Sequence, residues 1–360
     1  MEKTRVGIIG CGGIANGKHM PALKKTGVCD MVAFCDIIPE RAEKAAKDYG
    51  AEGSRTYTDY RELLKDPTIE VVHVCTPNRS HSQITVDALH AGKHVMCEKP
   101  MAINYTEAMR MVQASKESGK LLTIGYQQRN RPDSLYLKKE CENGTLGEIY
   151  FAKARAVRRR AVPTWGVFLN EYEQGGGALI DIGTHALDLT LWLMQNYEVN
   201  YVVGTSYHKL NKDTETANLW GDWDTEQFTA DDATFGFIVM KNGATIMLEA
   251  SWALNILDTE EAKCILCGTK AGADMVGGLR INGVKNGRQY VETPDFSTGG
   301  VAFFEGDGAD EPHVLEAKIW MKAVRGEGEL RVLPEQAATV TRILDAIYES
   351  AKTGKPVFFD

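Results

Sequence analysis

A strand, a glycine turn and the start of a helix follow one another at residues 5–15 of the chain. Gly10, Gly12 and Ala15 match the pattern G-x-G-x-x-G/A, which is typical of dinucleotide-binding folds. Gly10 allows a sharp turn, Gly12 lets the backbone approach a pyrophosphate, and the small Ala15 lets the helix pack on the strand. The helix N-terminus adds free N–H groups and the positive end of a dipole. Glycine-rich turns also occur in ordinary loops, but the position directly after a strand favours a nucleotide site.

Length and composition indicate an ordinary two-domain protein. The 360 residues exceed one typical domain, and 43% of them are hydrophobic while 25% are charged. The net charge of −8 and the pI of about 5.6 disfavour a nucleic-acid or anionic-membrane partner. Apolar runs stay well short of the roughly 18 residues of a membrane span, and the N-terminus lacks a signal-like apolar region. We therefore expect a cytoplasmic protein.

Eight cysteines are scattered along the chain, mostly inside apolar runs, and we expect free, buried thiols. Cys264 and Cys267 are the only close pair, and their odd spacing in a strand places them on opposite faces. Since neither a second pair nor a histidine motif accompanies them, we predict no metal site.

Short apolar runs alternate with helical patterns through the first third of the chain. The predicted strands are 5–10, 30–36, 70–75, 93–97 and 121–125, and the predicted helices are 14–26, 39–50, 59–65, 80–91 and 104–118. Glycines at 92 and 119 mark two helix ends. The alternation predicts an α/β fold with a doubly wound parallel sheet at 1–126, and ligands at the carboxyl ends of its strands.

The pattern changes near residue 148, where strands cluster together. The predicted strands are 149–159, 232–240, 244–253, 263–267, 279–282 and 288–292, with helices ending at Gly326 and running from Pro334 to Gly354. Clustered strands predict a second, α+β domain at 127–360 with a mostly antiparallel sheet, whose C-terminal helix can pack back on the first domain. The polar segment 209–231 carries Trp220 and Trp223; it is either a surface excursion with locally packed tryptophans or a lid or subunit contact.

Polar residues follow several strand ends of the first domain. Asp36 lies about 20 residues after Ala15, where a carboxylate accepts hydrogen bonds from ribose hydroxyls and repels a 2′-phosphate. This favours NAD over NADP, with Arg41 nearby as a group that softens the preference. The alternative is a solvated aspartate at a strand end.

Two further strand ends carry polar groups that can line the same crevice. The third predicted strand is followed by Thr76, Pro77, Asn78 and His81, in a region that also reads as a helix start capped by Ser80. Glu98-Lys99-Pro100 follows the next strand, and a partly desolvated lysine there can exchange a proton with a hydroxyl. Taken by itself, Lys99 would be interpreted as a surface lysine.

The glycine tract at 175–177 precedes a helical pattern that carries three regularly spaced polar residues. Asp181, His185 and Asp188 fall at i, i+4 and i+7, so they share a helix face. A carboxylate beside an imidazole orients the ring and keeps it basic, as a general base requires. The alternatives are a satisfied core histidine and a metal site, for which further ligands are lacking.

Taken together, the glycine turn, Glu98-Lys99-Pro100 and the Asp181/His185/Asp188 pattern resemble the glucose–fructose oxidoreductase/inositol dehydrogenase (Gfo/Idh/MocA) family over nearly the whole chain. The resemblance implies a Rossmann domain, an α/β domain with an open sheet, and NAD(P) chemistry on sugars or polyols. It further implies that Lys99, Asp181 and His185 are catalytic. His185 would take the hydroxyl proton, Asp181 would orient it, and Lys99 would hold the reacting oxygen, although the resemblance leaves open which of Lys99 and His185 is the base.

The expected cofactor contacts are Gly10, Gly12, Gly13, Ile14, Asp36, Arg41, Thr76, Pro77, Asn78, His81, Glu98, Lys99 and Gln127. The insert at 158–168 is similar to the levoglucosan dehydrogenase-like branch, whose members oxidise glycosides and anhydrosugars at C3. There Trp165 would stack on a pyranose and Arg158 would bind hydroxyls, alongside Asp181 and His185, or the stretch is a basic strand end with a packing tryptophan.

The same resemblance leaves an inositol dehydrogenase open. Two other classes compete with it: an enzyme that cleaves glycosides by NAD-assisted oxidation and elimination, and a non-catalytic NAD(H) sensor, which is disfavoured because Lys99, Asp181 and His185 are all present. We also expect a homo-oligomer, a dimer or tetramer, that associates through the sheet of the second domain.

Overall fold

Strands and helices alternate through the N-terminal third of the chain, as the sequence pattern predicts. The computed structural model describes residues 2–296 and 310–360. Its internal contacts divide the chain into two units, Met1–Gln127 with Ala309–Ala338, and Gln128–Gly308 with Thr339–Asp360. The chain therefore returns to the first unit near its C-terminus, so the segment 127–360 is not one continuous unit.

The first unit contains a six-stranded parallel sheet in the order β3-β2-β1-β4-β5-β6. Its strands are β1 (Thr4–Ile9), β2 (Cys29–Cys35), β3 (Arg55–Tyr57), β4 (Val71–Val74), β5 (His94–Cys97) and β6 (Leu122–Ile124). The strand order reverses between β1 and β4, and in such sheets ligands bind outside the carboxyl ends of the strands at that point. The glycine turn after β1 and Thr76 after β4 both lie at this edge.

The helices that connect these strands cover the two sides of the sheet. A π-helical turn (Ala15–His19) continues into α1 (Met20–Thr26), and α2 (Pro39–Tyr49), α3 (Tyr60–Leu64), α4 (Asn78–His90) and α5 (Tyr105–Ser118) follow. Gly92 and Gly119, the predicted end signals of α4 and α5, have φ values of 78° and 64°, which glycine adopts without strain.

The predicted capping role of Ser80 is wrong. Helix α4 begins two residues earlier, at Asn78, with Pro77 as its N-cap. The Ser80 hydroxyl lies inside the first turn and donates to the Pro77 carbonyl at 2.8 Å. Proline is compatible with this N-cap position because its fixed φ, here −58°, fits the extended backbone there.

The second unit contains a nine-stranded sheet in the order β14-β13-β12-β11-β7-β10-β9-β8-β15. Its strands are β7 (Ile149–Val157), β8 (Val199–Tyr207), β9 (Ala233–Met240), β10 (Thr245–Ser251), β11 (Glu260–Gly268), β12 (Ala271–Asp274), β13 (Arg280–Lys285), β14 (Arg288–Glu292) and β15 (Val357–Phe358). Every described pair is antiparallel except β7 with β10, which is parallel. The predicted mostly antiparallel sheet is therefore confirmed.

A helical segment covers one face of this sheet. The helical elements of the unit that precede β8 are α6 (Pro132–Glu142), α7 (Glu171–Gln174), a π-helical turn (Leu179–Gly183) and α8 (Thr184–Met194). Ala152, Ala154 and Ala156 of β7 are fully buried on the covered face, where α8 packs on β7. Their small side chains let the helix approach, and a Cβ at Gly183 would lie only 3.0 Å from the Ala250 methyl group.

The opposite face of the sheet is largely uncovered within this unit. Val203, Phe237 and Met247 are adjacent in the register of β8, β9 and β10, and all three are exposed. We call this surface the open face. Apolar side chains in neighbouring strands form a contiguous patch, which marks an interaction surface more often than an ordinary solvent face.

The chain finishes with α9 (Pro312–Val324), α10 (Pro334–Thr353) and β15. Trp320 and Met321 of α9 belong to the buried core of the first unit, together with Met20 and Leu23 of α1. The Thr123 hydroxyl of β6 donates to the Val332 carbonyl at 3.0 Å. Burial of a large aromatic side chain explains why this distant segment rejoins the first unit.

All eight cysteines are free, and six of them are buried. Helices in the described ranges are all too short or too polar to cross a membrane.

Candidate active site

The glycine turn after β1 has the geometry of a phosphate cradle. Gly10 has a φ of +89°, and a Cβ there would lie 2.6 Å from the Cys75 carbonyl oxygen, so only glycine fits. At Gly12 and Gly13, an added Cβ would meet no atom of the described chain within 4 Å. The backbone is therefore tightly held on one side and accessible on the other, which fits a pyrophosphate.

Asp36, at the end of β2, is tied to this turn. Its carboxylate accepts the Cys11 N–H through Oδ2 and the Ile38 N–H through Oδ1, each at 2.9 Å. Each oxygen keeps a further lone pair for a ligand hydroxyl. The contacts fix the carboxylate beside the glycine turn, which is where a ribose-binding acid is required.

The surroundings of Asp36 contain one exposed apolar group that sequence reasoning missed. Ile37 is 88% exposed, directly after the carboxylate, and Ile14 at the helix start is also exposed. Arg41 lies in the first turn of α2, exposed to solvent. Ile37 therefore presents an apolar surface directly beside the Asp36 carboxylate.

The loop after β4 is joined to the loop after β5 by His81. Its Nδ1 lies 2.8 Å from the Pro100 carbonyl oxygen and its Nε2 lies 2.8 Å from the Thr76 carbonyl oxygen. Burial lowers the pKa of His81. The ring thus holds the two loops together from within the protein. The Thr76 hydroxyl is buried and finds no hydrogen-bond partner among the described residues, so it is available to a ligand.

The Glu98 carboxylate holds the backbone at Lys99. Its Oε2 accepts the Lys99 N–H at 2.9 Å, and its Oε1 lies 2.7 Å from His19 Nε2. A Cβ at Gly125 would approach Oε1 to 3.3 Å, so the glycine leaves room for this carboxylate. Lys99 itself is half-buried and Gln127 opens a 3₁₀ turn, Gln127–Asn130. Glu98 therefore positions the turn that carries Lys99.

Behind Glu98 lies a histidine pair that the sequence analysis did not select. His19 Nδ1 and His73 Nδ1 are 3.0 Å apart, and both rings are buried. Burial acts to lower the pKa of His19, but Cys75 and Glu98 raise it well above the usual range. Burial and the charge of His19 lower the pKa of His73. The His19 ring thus links the Glu98 carboxylate to His73. The sequence signal that could have revealed this pair was a histidine near the start of the predicted helix 14–26.

In the second unit, the glycine tract shapes the entry to the helix that carries Asp181 and His185. A Cβ at Gly176 would lie 2.2 Å from the Tyr348 hydroxyl, and one at Gly177 would lie 2.0 Å from the Asp231 carbonyl oxygen. Asp231 accepts the Gly177 N–H at 2.5 Å and the Tyr348 hydroxyl at 2.7 Å. Only glycine permits this close packing, and Asp231 is a positioning residue that sequence reasoning missed.

Asp181 and His185 lie on the π-helical turn and on the first turn of α8. The indole Nε1–H of Trp252 donates to Asp181 Oδ2 at 2.9 Å, and both residues are buried. His185 is nearly buried as well. The carboxylate is therefore held in one orientation by a tryptophan from the strand end after β10.

Asp188, the third polar residue of this helix, has a different environment. Its carboxylate receives two hydrogen bonds from the Arg129 guanidinium, at 2.9 and 2.6 Å, and both side chains are fully buried. A paired, fully buried carboxylate is a structural anchor for α8.

The predicted substrate residues Arg158 and Trp165 lie near one another. The Arg158 guanidinium forms two hydrogen bonds with Glu261, at 2.7 and 2.6 Å, and lies 5.3 Å from the centre of the Trp220 ring. Burial opposes charge on Arg158, but Glu261 and Asp181 raise its pKa. Trp165 is half-exposed. Arg158 is therefore already engaged by protein, and its proposed contact with substrate hydroxyls stays a prediction.

Comparison with known proteins identifies both parts of the chain. An oxidoreductase-family model described as an NAD-binding Rossmann fold matches residues 4–126, and the C-terminal alpha/beta domain of the same family matches residues 138–359. D-glucoside 3-dehydrogenase of Escherichia coli K12 is 34% identical over 98% of this chain and 97% of its own length. An inositol 2-dehydrogenase/D-chiro-inositol 3-dehydrogenase of Lactiplantibacillus plantarum is 33% identical over 55% of this chain and 54% of its own length. The solved structure of levoglucosan dehydrogenase with NADH and levoglucosan superposes with a TM-score of 0.83 over 99% of each chain, at 24% identity.

Proposed function

Because the chain belongs to the Gfo/Idh/MocA family of oxidoreductases, with an NAD-binding Rossmann fold in its first unit, we propose that it is an NAD-dependent dehydrogenase of glycosides. The reaction moves a hydride from a secondary carbinol of a pyranoside, at C3, to nicotinamide and releases one proton. The likeness to a D-glucoside 3-dehydrogenase over almost the full length carries this proposal.

Each residue of the catalytic set has its own role in the proposed reaction. His185 accepts the hydroxyl proton as the C–H bond gives up its hydride, and Asp181 orients the ring. Trp252 fixes Asp181 through the 2.9 Å hydrogen bond. Lys99, on the turn held by Glu98, polarises the reacting oxygen. Bound NAD supplies the hydride acceptor, and the glycine turn and Asp36 provide backbone N–H groups and a carboxylate for its phosphates and ribose.

An inositol dehydrogenase is the second candidate, since the Lactiplantibacillus plantarum relative shares 33% identity. That match spans 55% of the present chain, whereas the glucoside relative spans 98%. Pyranosides are therefore the preferred substrate class.

The test is an assay of purified protein with NAD against methyl glucosides, levoglucosan, free sugars and inositols. We expect NADH to accumulate fastest with a glucoside and its product to be the 3-keto sugar. Faster turnover of inositol would support the second candidate. Release of aglycone without net NADH would indicate the oxidation–elimination enzyme, and NAD binding without any turnover would indicate a sensor; either result would refute the dehydrogenase.

Asp36→Ser is expected to weaken NAD binding by about 10- to 100-fold and to change NADP binding much less, because the lost carboxylate serves the ribose hydroxyls and repels the 2′-phosphate. Both affinities are measured by titration. Asp30→Ser, at the other end of β2 in an exposed pair with Lys3, is the matched control. An unchanged NAD/NADP ratio would remove Asp36 from the ribose site, since damage to the glycine turn alone would weaken both cofactors equally.

We also propose that the protein is a cytoplasmic homo-oligomer. The patch formed by Val203, Phe237 and Met247 on the open face supports association of two copies through their sheets. The free thiols suit a reducing compartment. A molar mass from light scattering that equals one chain would contradict the oligomer.

A further inference from the structure

The segment 209–231 is fastened to the insert that carries Trp165. Asn218 Oδ1 accepts the Val162 N–H at 2.8 Å, and Asn218 Nδ2 donates back to the Val162 carbonyl at 2.9 Å. The Thr164 hydroxyl donates to the Trp220 carbonyl at 2.9 Å. These contacts fix the backbone of Trp220 beside the insert, although the two stretches are more than 50 residues apart.

Trp165 and Trp220 form an open corner of two perpendicular rings. Their centres are 5.0 Å apart with an interplanar angle of 79°. They nevertheless remain 51% and 40% exposed. Trp223, in the same segment, is 5% exposed and packs on Phe228. Local packing therefore accounts for Trp223 and leaves the exposure of the Trp165–Trp220 corner unexplained.

Arg158 holds one ring of the corner in place. Its guanidinium lies 5.3 Å from the centre of the Trp220 ring, an attractive cation–π contact. Glu261 fixes and neutralises that guanidinium with two hydrogen bonds. A ring that is already immobile loses little conformational freedom when a ligand stacks on it. The neutralised charge also favours an uncharged ligand.

A line of aromatic contacts connects the corner with Asp181. Trp165 lies 5.8 Å from Phe168, and Phe168 lies 6.5 Å from Trp252, measured between ring centres. Trp252 in turn donates to Asp181. Phe168 and Trp252 thus link the corner to the Asp181 carboxylate. This arrangement suits a ligand that reacts beside Asp181 and extends from there onto the corner.

We propose that Trp165 and Trp220 form an aglycone subsite, which stacks on the aryl group or second sugar of a glycoside while the reacting pyranose lies at Asp181 and His185. This inference rests on the proposed glycoside dehydrogenase activity. Aromatic rings stack on flat aryl groups and on the C–H faces of pyranoses, and neither ligand needs a charge partner. The subsite makes the enzyme prefer glycosides with an extended aglycone over methyl glucoside.

Kinetics of Trp220→Ala with an aryl β-glucoside and with methyl β-glucoside test the subsite. We expect the KM for the aryl glucoside to rise by about 5- to 10-fold with kcat nearly unchanged, and the KM for methyl glucoside to stay within about 2-fold. Trp165→Ala should behave alike, and Trp220→Phe should retain most of the affinity. Leu219→Ala, at the exposed neighbouring residue, is the control and should change neither KM.

Equal changes in KM for both glucosides, or no change for the aryl glucoside, would overturn the subsite while leaving the dehydrogenase intact. If the wild-type protein oxidises no glucoside, the proposed function fails. Direct binding then tests the subsite, because an aryl glucoside should quench tryptophan fluorescence in the wild type and should need about 5- to 10-fold more ligand to do so in Trp220→Ala. Absence of quenching in the wild type would overturn it.

Discussion

His185→Ala is expected to lower kcat by about 100- to 10,000-fold, the usual contribution of a positioned general base, without weakening NAD binding. The reason is that His185 lies in the second unit, on the first turn of α8, whereas the glycine turn and Asp36 belong to the first. Turnover is measured from NADH formation and NAD affinity by titration. His208→Ala, at an exposed histidine of the second unit, is the matched control and should retain full activity.

Lys99→Ala should also abolish turnover, and the pair of variants identifies the base. If His185 is the base, its removal eliminates the acid limb of the kcat/KM profile, and added imidazole restores part of the rate. If Lys99 is the base, the same result appears in Lys99→Ala with added methylamine. Retained turnover in either variant would remove that residue from the catalytic set. Lost NAD affinity in His185→Ala would assign it a structural role.

The parallel sheet was predictable because its strands are apolar on both faces and are bounded by glycines and polar residues. The sequence pattern did not predict β3, because Arg55–Tyr57 is a short, polar edge strand. It did not predict helix α6 (Pro132–Glu142) either, because only two of its residues are fully buried and no clear apolar face results. In the second sheet, β12 (Ala271–Asp274) is too short for an alternating pattern to be recognised.

The return of the chain to the first unit has no local signature. Nothing in the sequence around Trp320 states that this side chain packs with Met20 and Leu23, because the contact joins residues almost 300 positions apart. Hydrophobic periodicity reports which face of a helix is buried, but not against which partner it is buried.

In the candidate site too, the sequence indicated individual residues but not the residues with which they pair. The glycine turn was readable because positive φ and close backbone contacts require glycine, as Gly10 and Gly177 show. Sequence reasoning proposed His81 and Glu98 as cofactor contacts, which stays a prediction, but it did not foresee that the His81 ring lies between two carbonyls or that Glu98 holds the Lys99 backbone. Arg158 was proposed for hydroxyls and is held by Glu261, 103 residues away. Such pairings arise from the fold, and a single sequence does not encode them locally.

Removal of one partner of the buried Arg129–Asp188 pair is expected to destabilise the second unit strongly. Asp188→Ala leaves the Arg129 guanidinium buried without its carboxylate, and we expect a loss of about 3–5 kcal/mol in the free energy of unfolding. Urea unfolding followed by circular dichroism measures this loss. Glu62→Ala, which breaks the exposed pair with Lys65, should cost less than about 1 kcal/mol and serves as the control.

The double variant Arg129→Met/Asp188→Leu separates the pair's own contribution from the cost of an unpaired charge. Removing both charges together avoids the buried, uncompensated guanidinium, so the double variant should recover most of the stability that Asp188→Ala loses. A double variant as unstable as the sum of its two single variants would mean that the coupling energy between Arg129 and Asp188 is zero, and it would contradict this explanation. Asp188 lies one turn after His185 on α8, so kcat of the double variant also tests whether the ion pair positions the proposed base. If the double variant folds and has a lowered kcat with unchanged NAD affinity, Arg129 and Asp188 are positioning residues. If its kcat is unchanged, the two residues contribute only to stability.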